Sequence, residues 1–148
     1  MTMEANTSSG RRFVEEGINR GNLAVVDELT GPSFVNHSAP PGVPPGIEGS
    51  KAFVSMFRAA FPDLHYTIED TFAEGDRLVQ RITGHGTMKG DFQGMPASGK
   101  EATWSEIWIT RFDADGKAVE TWGVADQLGM LAQLGFAQAP GQPAGVAR

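Results

Sequence analysis

A chain of 148 residues with a formal net charge of −6 and a sequence pI of about 5.0 has the length of one domain, able to bury roughly two-thirds of the surface its unfolded form exposes. Its 12 basic residues are scattered, with Arg11-Arg12 the only adjacent pair, which argues against a nucleic-acid footprint. The absence of cysteine excludes disulfides, thiolate nucleophiles and sulfur-ligated metals, and no run approaches the 18 apolar residues of a membrane span.

The first twelve residues are polar, without the apolar segment of a signal peptide, so a cytoplasmic protein is expected. Phe13, Val14 and Ile18, then Leu23, Val26 and Leu29, recur near the helical period. Asn19-Arg20-Gly21-Asn22 interrupts them, predicting two helices joined by a short turn. Gly31-Pro32 ends the second, and Ser33 to His37 reads as a short strand. A loop from Ala39 to Gly46 then carries four prolines, which cannot join a central sheet. From Ile47 to Phe61 the residues Phe53, Met56, Phe57, Ala60 and Phe61 form the apolar stripe of a third helix.

After Pro62-Asp63 the period changes from 3.6 to 2. Four strands are predicted, over Leu64 to Ala73, Arg77 to Lys89, Glu101 to Asp113 and Ala118 to Ala125. Glu74-Gly75-Asp76 and Asp113 to Lys117 carry hairpin-turn chemistry, whereas Gly90 to Gly99 is long enough to form a rim loop. Gln127 to Leu134 closes the pattern as a short helix, and Ala137 to Arg148 has the composition of a disordered tail. Residues 1–136 thus form one α+β domain, with the N-terminal helices packed in a curved, mostly antiparallel sheet that makes a cone with an internal pocket.

The residues suited to chemistry are few. Asp126 stands where the last strand meets the last helix, with Trp122 four residues upstream. It reads as a helix N-cap and equally as a carboxylate at a pocket edge. On the third long strand, alternation puts Trp104, Glu106, Trp108 and Thr110 on one face, and Ser105, Ile107, Ile109 and Arg111 on the other. If the first set faces inward, desolvation between two tryptophans would favour a protonated Glu106 and make it an acid or base near neutrality. His37 and His85, each on a strand, could shuttle a proton. No closely spaced His/carboxylate set supports a metal site, no glycine run has the phosphate-cradling context, and no cofactor is expected.

Several segments together resemble a SnoaL-like polyketide cyclase, an ester-cyclase-type sequence with the nuclear-transport-factor-like cone fold. They are Gly21-Asn22-Leu23 through Leu29, Phe34-Val35-Asn36-His37, Gly46 to Gly49, Phe61-Pro62-Asp63-Leu64, Gly86-Thr87, Gly90 to Lys100, Asp115-Gly116-Lys117, and Trp122 to Asp126 with Leu128 to Gly135. The resemblance runs from about Phe13 to Gly135. It implies helices covering the inner sheet face, a homodimer paired through the sheets, and ring closure by an intramolecular aldol step without metal or cofactor. It assigns acid/base catalysis to Asp126 and a place on the pocket wall to His37; the residues themselves add His37 or His85 as the group that stabilises developing charge, with His85, Glu106, Trp108 and Trp122 around the substrate. On that reading Asp126→Asn lowers turnover by a factor on the order of 10²–10⁴. Met88 stands where many relatives have histidine, and Trp108 where many have a polar residue, which implies a reshaped, more aromatic pocket.

Related cone-fold chemistries ask for other residues. Ketosteroid-isomerase-type and scytalone-dehydratase-type sites want placed tyrosine hydroxyls, and the sole tyrosine is Tyr66, early in a strand. An epoxide-opening site needs a second aspartate and an arginine beside Asp126. A non-catalytic, small-molecule-binding dimer is the alternative from another class, with Asp126 only capping its helix.

Overall fold

The computed structural model describes residues 2–138. Four helices, α1 (Met3–Arg12), α2 (Leu23–Leu29), α3 (Ile47–Ala60) and α4 (Gln127–Leu134), accompany five strands, β1 (Thr30–Asn36), β2 (His65–Glu74), β3 (Arg77–Thr87), β4 (Glu101–Phe112) and β5 (Ala118–Ala125). The strands form one sheet in the order β1-β5-β4-β3-β2. β1 runs parallel to β5, while the other pairs are antiparallel, so the sheet is mixed and unclosed. The expected α+β cone is the observed architecture. The tail expected from Ala137 onward lies, from residue 139, outside the described residues.

Hairpin chemistry placed the turns: Gly75 and Gly116 adopt φ of +58° and +79°, values that a side chain disfavours. The Gly90 to Gly99 connection folds over the rim, where Phe92 and Met95 exchange backbone bonds of 2.9 Å. Phe92 is thereby driven into the core beside Phe57 (centroids 4.9 Å apart) and Phe61 (5.7 Å).

The polar N-terminus is a helix, which apolar periodicity did not reveal. Thr2 caps it by accepting from the Ala5 N–H, and its charges suit the helix dipole, Glu4 in the first turn and Arg11 and Arg12 in the last. The residues it buries are Asn6 and Gly10, so no apolar stripe exists to be read. The chain continues without a break into a π-helical stretch, Phe13–Asn19. Such wide turns concentrate at functional sites, and this one carries Phe13 edge-on to Trp108, with centroids 6.2 Å apart.

The α3 stripe covers the inner sheet face as its spacing requires. Phe57 stacks on Trp104 at 5.8 Å and Phe61 tilts against it at 6.0 Å. Val14, Ile18, Phe61, Leu64, Ile82, Met88 and Leu134 complete the core. Beside this core the side chains leave a cavity.

Candidate active site

Alternation along β4 resolves which face looks inward. Trp104, Glu106, Trp108 and Thr110 line a cavity of about 280 Å³, together with Phe13 of the π-helix, Phe53 and Phe57 of α3, and Tyr66 of β2. The cavity wall is mostly apolar with a few polar groups, the usual constitution of a small-molecule site.

Glu106 is the charged residue of that wall. Three side-chain donors converge on it: the Tyr66 hydroxyl donates to Oε2 at 2.6 Å, the Trp104 indole N–H to Oε2 at 2.8 Å, and the Trp108 indole N–H to Oε1 at 2.9 Å. The two tryptophans therefore do not merely desolvate the glutamate, because each turns its N–H edge to it. Oε1 carries one of these bonds and retains a lone pair for a ligand.

Strand register builds the arrangement. Tyr66 pairs with Gly84, and Gly84 with Trp104, so the three form one row across β2, β3 and β4. A Cβ on Gly84 would lie 2.4 Å from Trp104 Cε2; the glycine is the gap into which the indole falls. The ring then meets Tyr66 edge-on at 6.1 Å. Burial, reinforced by the Glu106 charge and hydrogen bond, holds the Tyr66 phenol well above its ordinary range. It stays a protonated donor to the carboxylate.

Tyr66 is the cavity-lining residue that sequence reasoning passed over. Its signal was present: Tyr66 and Ile68 share one face of β2, and Tyr66 is buried, as is Leu64 just before the strand.

The other expected site residues lie elsewhere. Asp126 is flanked by the cavity-lining Ala125 and Gln127, but its own side chain is exposed and folds back on α4, where Oδ1 accepts the Gly129 N–H at 2.9 Å. Gly129 makes this possible, since a Cβ there would stand 2.3 Å from Asp126 Oδ2. The sheltered carboxylate expected at this position is thus found instead at Glu106.

His37 and Trp122 are on the outer face, corrected by strand parity. Phe34 and Asn36 of β1 line the cavity. His37 stacks on Trp122 at 4.9 Å, and its Nε2 lies 3.4 Å from Glu120 Oε2. Trp122 pairs with Ile109, on the face opposite Glu106, with the Arg77 guanidinium over its ring. The Arg111 guanidinium, donating to Glu120 at 2.8 Å, holds that carboxyl below its usual range. His85 is likewise outward, beside Glu101 at 4.0 Å and opposite His65. Among the described residues, no helix is long and apolar enough to cross a membrane.

Solved structures share this architecture. TsrD from Streptomyces laurentii is similar at 29% identity over 92% of this chain and 98% of its own, with a TM-score of 0.83. AclR from Streptomyces galilaeus, a proposed hydroxylase, matches at 28% identity over 93% and 100%, with a TM-score of 0.81. IdmH from Streptomyces antibioticus, a proposed polyketide cyclase, reaches 32% identity over 88% and 98%, with a TM-score of 0.76. No protein with a curated description matches the sequence. The family model for the SnoaL-like polyketide cyclases matches residues 9–134, from the last turn of α1 through α4. With the cone, the cavity and that match in agreement, the chain belongs to the SnoaL-like polyketide cyclase family.

Proposed function

We propose that the protein is a cofactor-independent cyclase or isomerase acting on an apolar, carbonyl-containing small molecule, with Glu106 as its base. The observation that carries this reading is the Glu106 carboxylate on the wall of an aromatic cavity, held by Tyr66, Trp104 and Trp108. Glu106 takes a proton from the carbon next to a substrate carbonyl. The enolate carbon attacks a second carbonyl of the same molecule, one C–C bond forms, and the alkoxide oxygen takes the proton back from Glu106. Atoms and electrons balance without oxidant or reductant.

Fixing the carboxylate by three donors supplies the positioning that general base catalysis needs, worth on the order of 10²–10⁴ in rate. The buried Tyr66 hydroxyl also favours a second reading, isomerisation, in which the same proton returns at another carbon. A purely binding module can also carry one placed carboxylate in an apolar wall, and proton exchange separates the two readings.

The test is deuterium exchange at the α-carbon of 2-tetralone in D₂O, followed by NMR. Wild-type protein should accelerate exchange, and Glu106→Gln should abolish most of the acceleration. Equal exchange rates in both proteins would refute the assignment.

The same reading includes a homodimer paired through the outer sheet face. Phe72, Val79, Ile109 and Trp122 form one row across four strands there, and Ile107 (48% exposed) lies beside Val124 (77% exposed). Contiguous exposed apolar surface of this kind supports an interface. Sedimentation should give a dimer for the wild type and a monomer for Val124→Lys; a wild-type monomer at micromolar concentration would dispose of the idea.

A further inference from the structure

Strand register maps the cavity floor as a ladder that continues past the carboxylate. After Glu106 the inner-face residues of β4 are Trp108, Thr110 and Phe112, and each opens a row onto β5, pairing with Gly123, Thr121 and Ala118 in turn. The last row reaches β1, where Ala118 meets Thr30. All of these residues line the cavity. From Glu106 to Phe112 the strand covers about 20 Å at the usual rise per residue, so the site extends well beyond its charged group.

The two ends differ in exposure. Ala125, the cross-strand partner of Glu106, leads into the exposed Gln127, and the exposed Ser38, Pro44 and Gln93 also border the cavity. The mouth is therefore on the Glu106 side. At the far end Thr30 and Phe112 are buried, as are Val26 and Leu29 of α2, the helix that runs directly into Thr30. A ligand that keeps its polar head at Glu106 must send the rest of its body inward.

What the far end offers is hydrocarbon. The Thr30 hydroxyl donates to the Val26 carbonyl, and the Thr121 hydroxyl to that of Ile109 at 3.1 Å. With the Thr121 proton engaged there, Thr110 is the donor across the 3.4 Å between the two hydroxyls. The Gln80 amide packs against Gly10 of α1. The Phe112 ring, the Ala118 methyl and the aliphatic side chains of Val26 and Leu29 are left to meet a ligand. A cavity of about 280 Å³ drawn out over this length is a slot, suited to an unbranched chain. Ala118 stands in the middle of its deepest row, between Thr30 and Phe112, with the smallest side chain of the three.

We propose that Ala118 determines specificity for length: it sets how long an unbranched hydrocarbon arm the ligand can carry into this slot while its reacting head stays at Glu106. This rests on the assignment of the Glu106 cavity as the substrate site.

The experiment titrates the series from 4-ethylphenol to 4-heptylphenol into wild-type protein, Ala118→Leu and Glu106→Gln by calorimetry. The phenol O–H donates to the free lone pair of Glu106 Oε1, and the alkyl group runs down the slot. In the wild type each added methylene should tighten binding about fourfold, the value of burying one such group, up to a limiting length. In Ala118→Leu the gain should stop at a shorter chain, weakening 4-heptylphenol roughly 10- to 60-fold while 4-ethylphenol binds as before. Glu106→Gln should weaken every member by one common factor and leave the dependence on length in place.

Affinity that ignores chain length in the wild type overturns the proposal. So does a series that runs identically in Ala118→Leu, or one that fails to bind the wild type at all. If Ala118→Leu does not fold, Phe112→Leu trims the deep wall instead and must move the limit to a longer chain. The Glu106 reading fails separately, through 2-tetralone exchange that persists in Glu106→Gln while the limiting length still moves with Ala118.

Discussion

Gly84→Ala adds one methyl group on the strand between Tyr66 and Trp104 and tests how the site is built. The new carbon would fall 2.4 Å from Trp104 Cε2, 2.6 Å from Cζ2 and 2.7 Å from Nε1. These separations are far inside van der Waals contact, so something must move. The indole cannot easily do so: Trp104 is buried, stacked on Phe57 at 5.8 Å and packed against Phe61 at 6.0 Å and Tyr66 at 6.1 Å. β3 itself is paired on both sides. Overpacking of this kind costs about 1–3 kcal/mol, which lowers the melting temperature of a domain this size by roughly 2–12 °C. The shift also pulls the indole N–H away from Glu106, whose Oε2 it reaches at 2.8 Å. Thermal unfolding followed by far-UV circular dichroism reads the first effect, and the near-UV tryptophan bands read the second. A melting temperature within about 1 °C of wild type with superimposable near-UV spectra would refute this account of the glycine.

The remaining expectations concern individual groups. Because the chain has a single tyrosine, absorbance near 295 nm titrates Tyr66 alone. Its folded pKa is raised above an unfolded value of about 10, so its contribution to stability is complete below that pH and is lost as the pH rises from there toward the folded value. Tyrosinate should appear with unfolding; a tyrosinate signal near pH 10 in folded protein would contradict the burial. Asp126→Ala removes the α4 cap and should cost about 0.5–2 kcal/mol in urea denaturation, and no loss of stability would mean the Gly129 bond contributes nothing. Tyr66→Phe deletes one of the three donors to Glu106 and should slow exchange into 2-tetralone without abolishing it, whereas an unaltered rate would remove Tyr66 from the site.

The fold was legible because two periods alternate cleanly. The stripe of Phe53, Phe57 and Phe61 announced a helix on an apolar surface, and the spacing of Trp104, Glu106 and Trp108 announced one strand face. What the sequence left ambiguous was parity and destination. Which neighbour of the Asn36-His37 pair turns inward depends on an irregularity of register between Thr30 and Val35, a feature of pairing with β5 that β1 alone does not encode. Asp126 satisfied both its possible roles on paper, and Gly129, three residues later, lets its carboxylate reach back to the helix. Tyr66 looked remote from Glu106 because 40 residues separate them; only the row through Gly84 makes them neighbours. The helix before Phe13 was invisible to hydropathy because it buries a glycine and an asparagine.

The two carboxylates can be set against each other directly. Deuterium exchange into 2-tetralone, measured on Glu106→Gln and Asp126→Asn under identical conditions, separates a base inside the cavity from one at its edge. With Glu106 as the base, its variant should fall on the order of 10²–10⁴ below wild type, while Asp126→Asn, which keeps an acceptor for the Gly129 N–H, stays within about twofold. Loss of exchange in Asp126→Asn with full activity in Glu106→Gln would contradict the assignment outright.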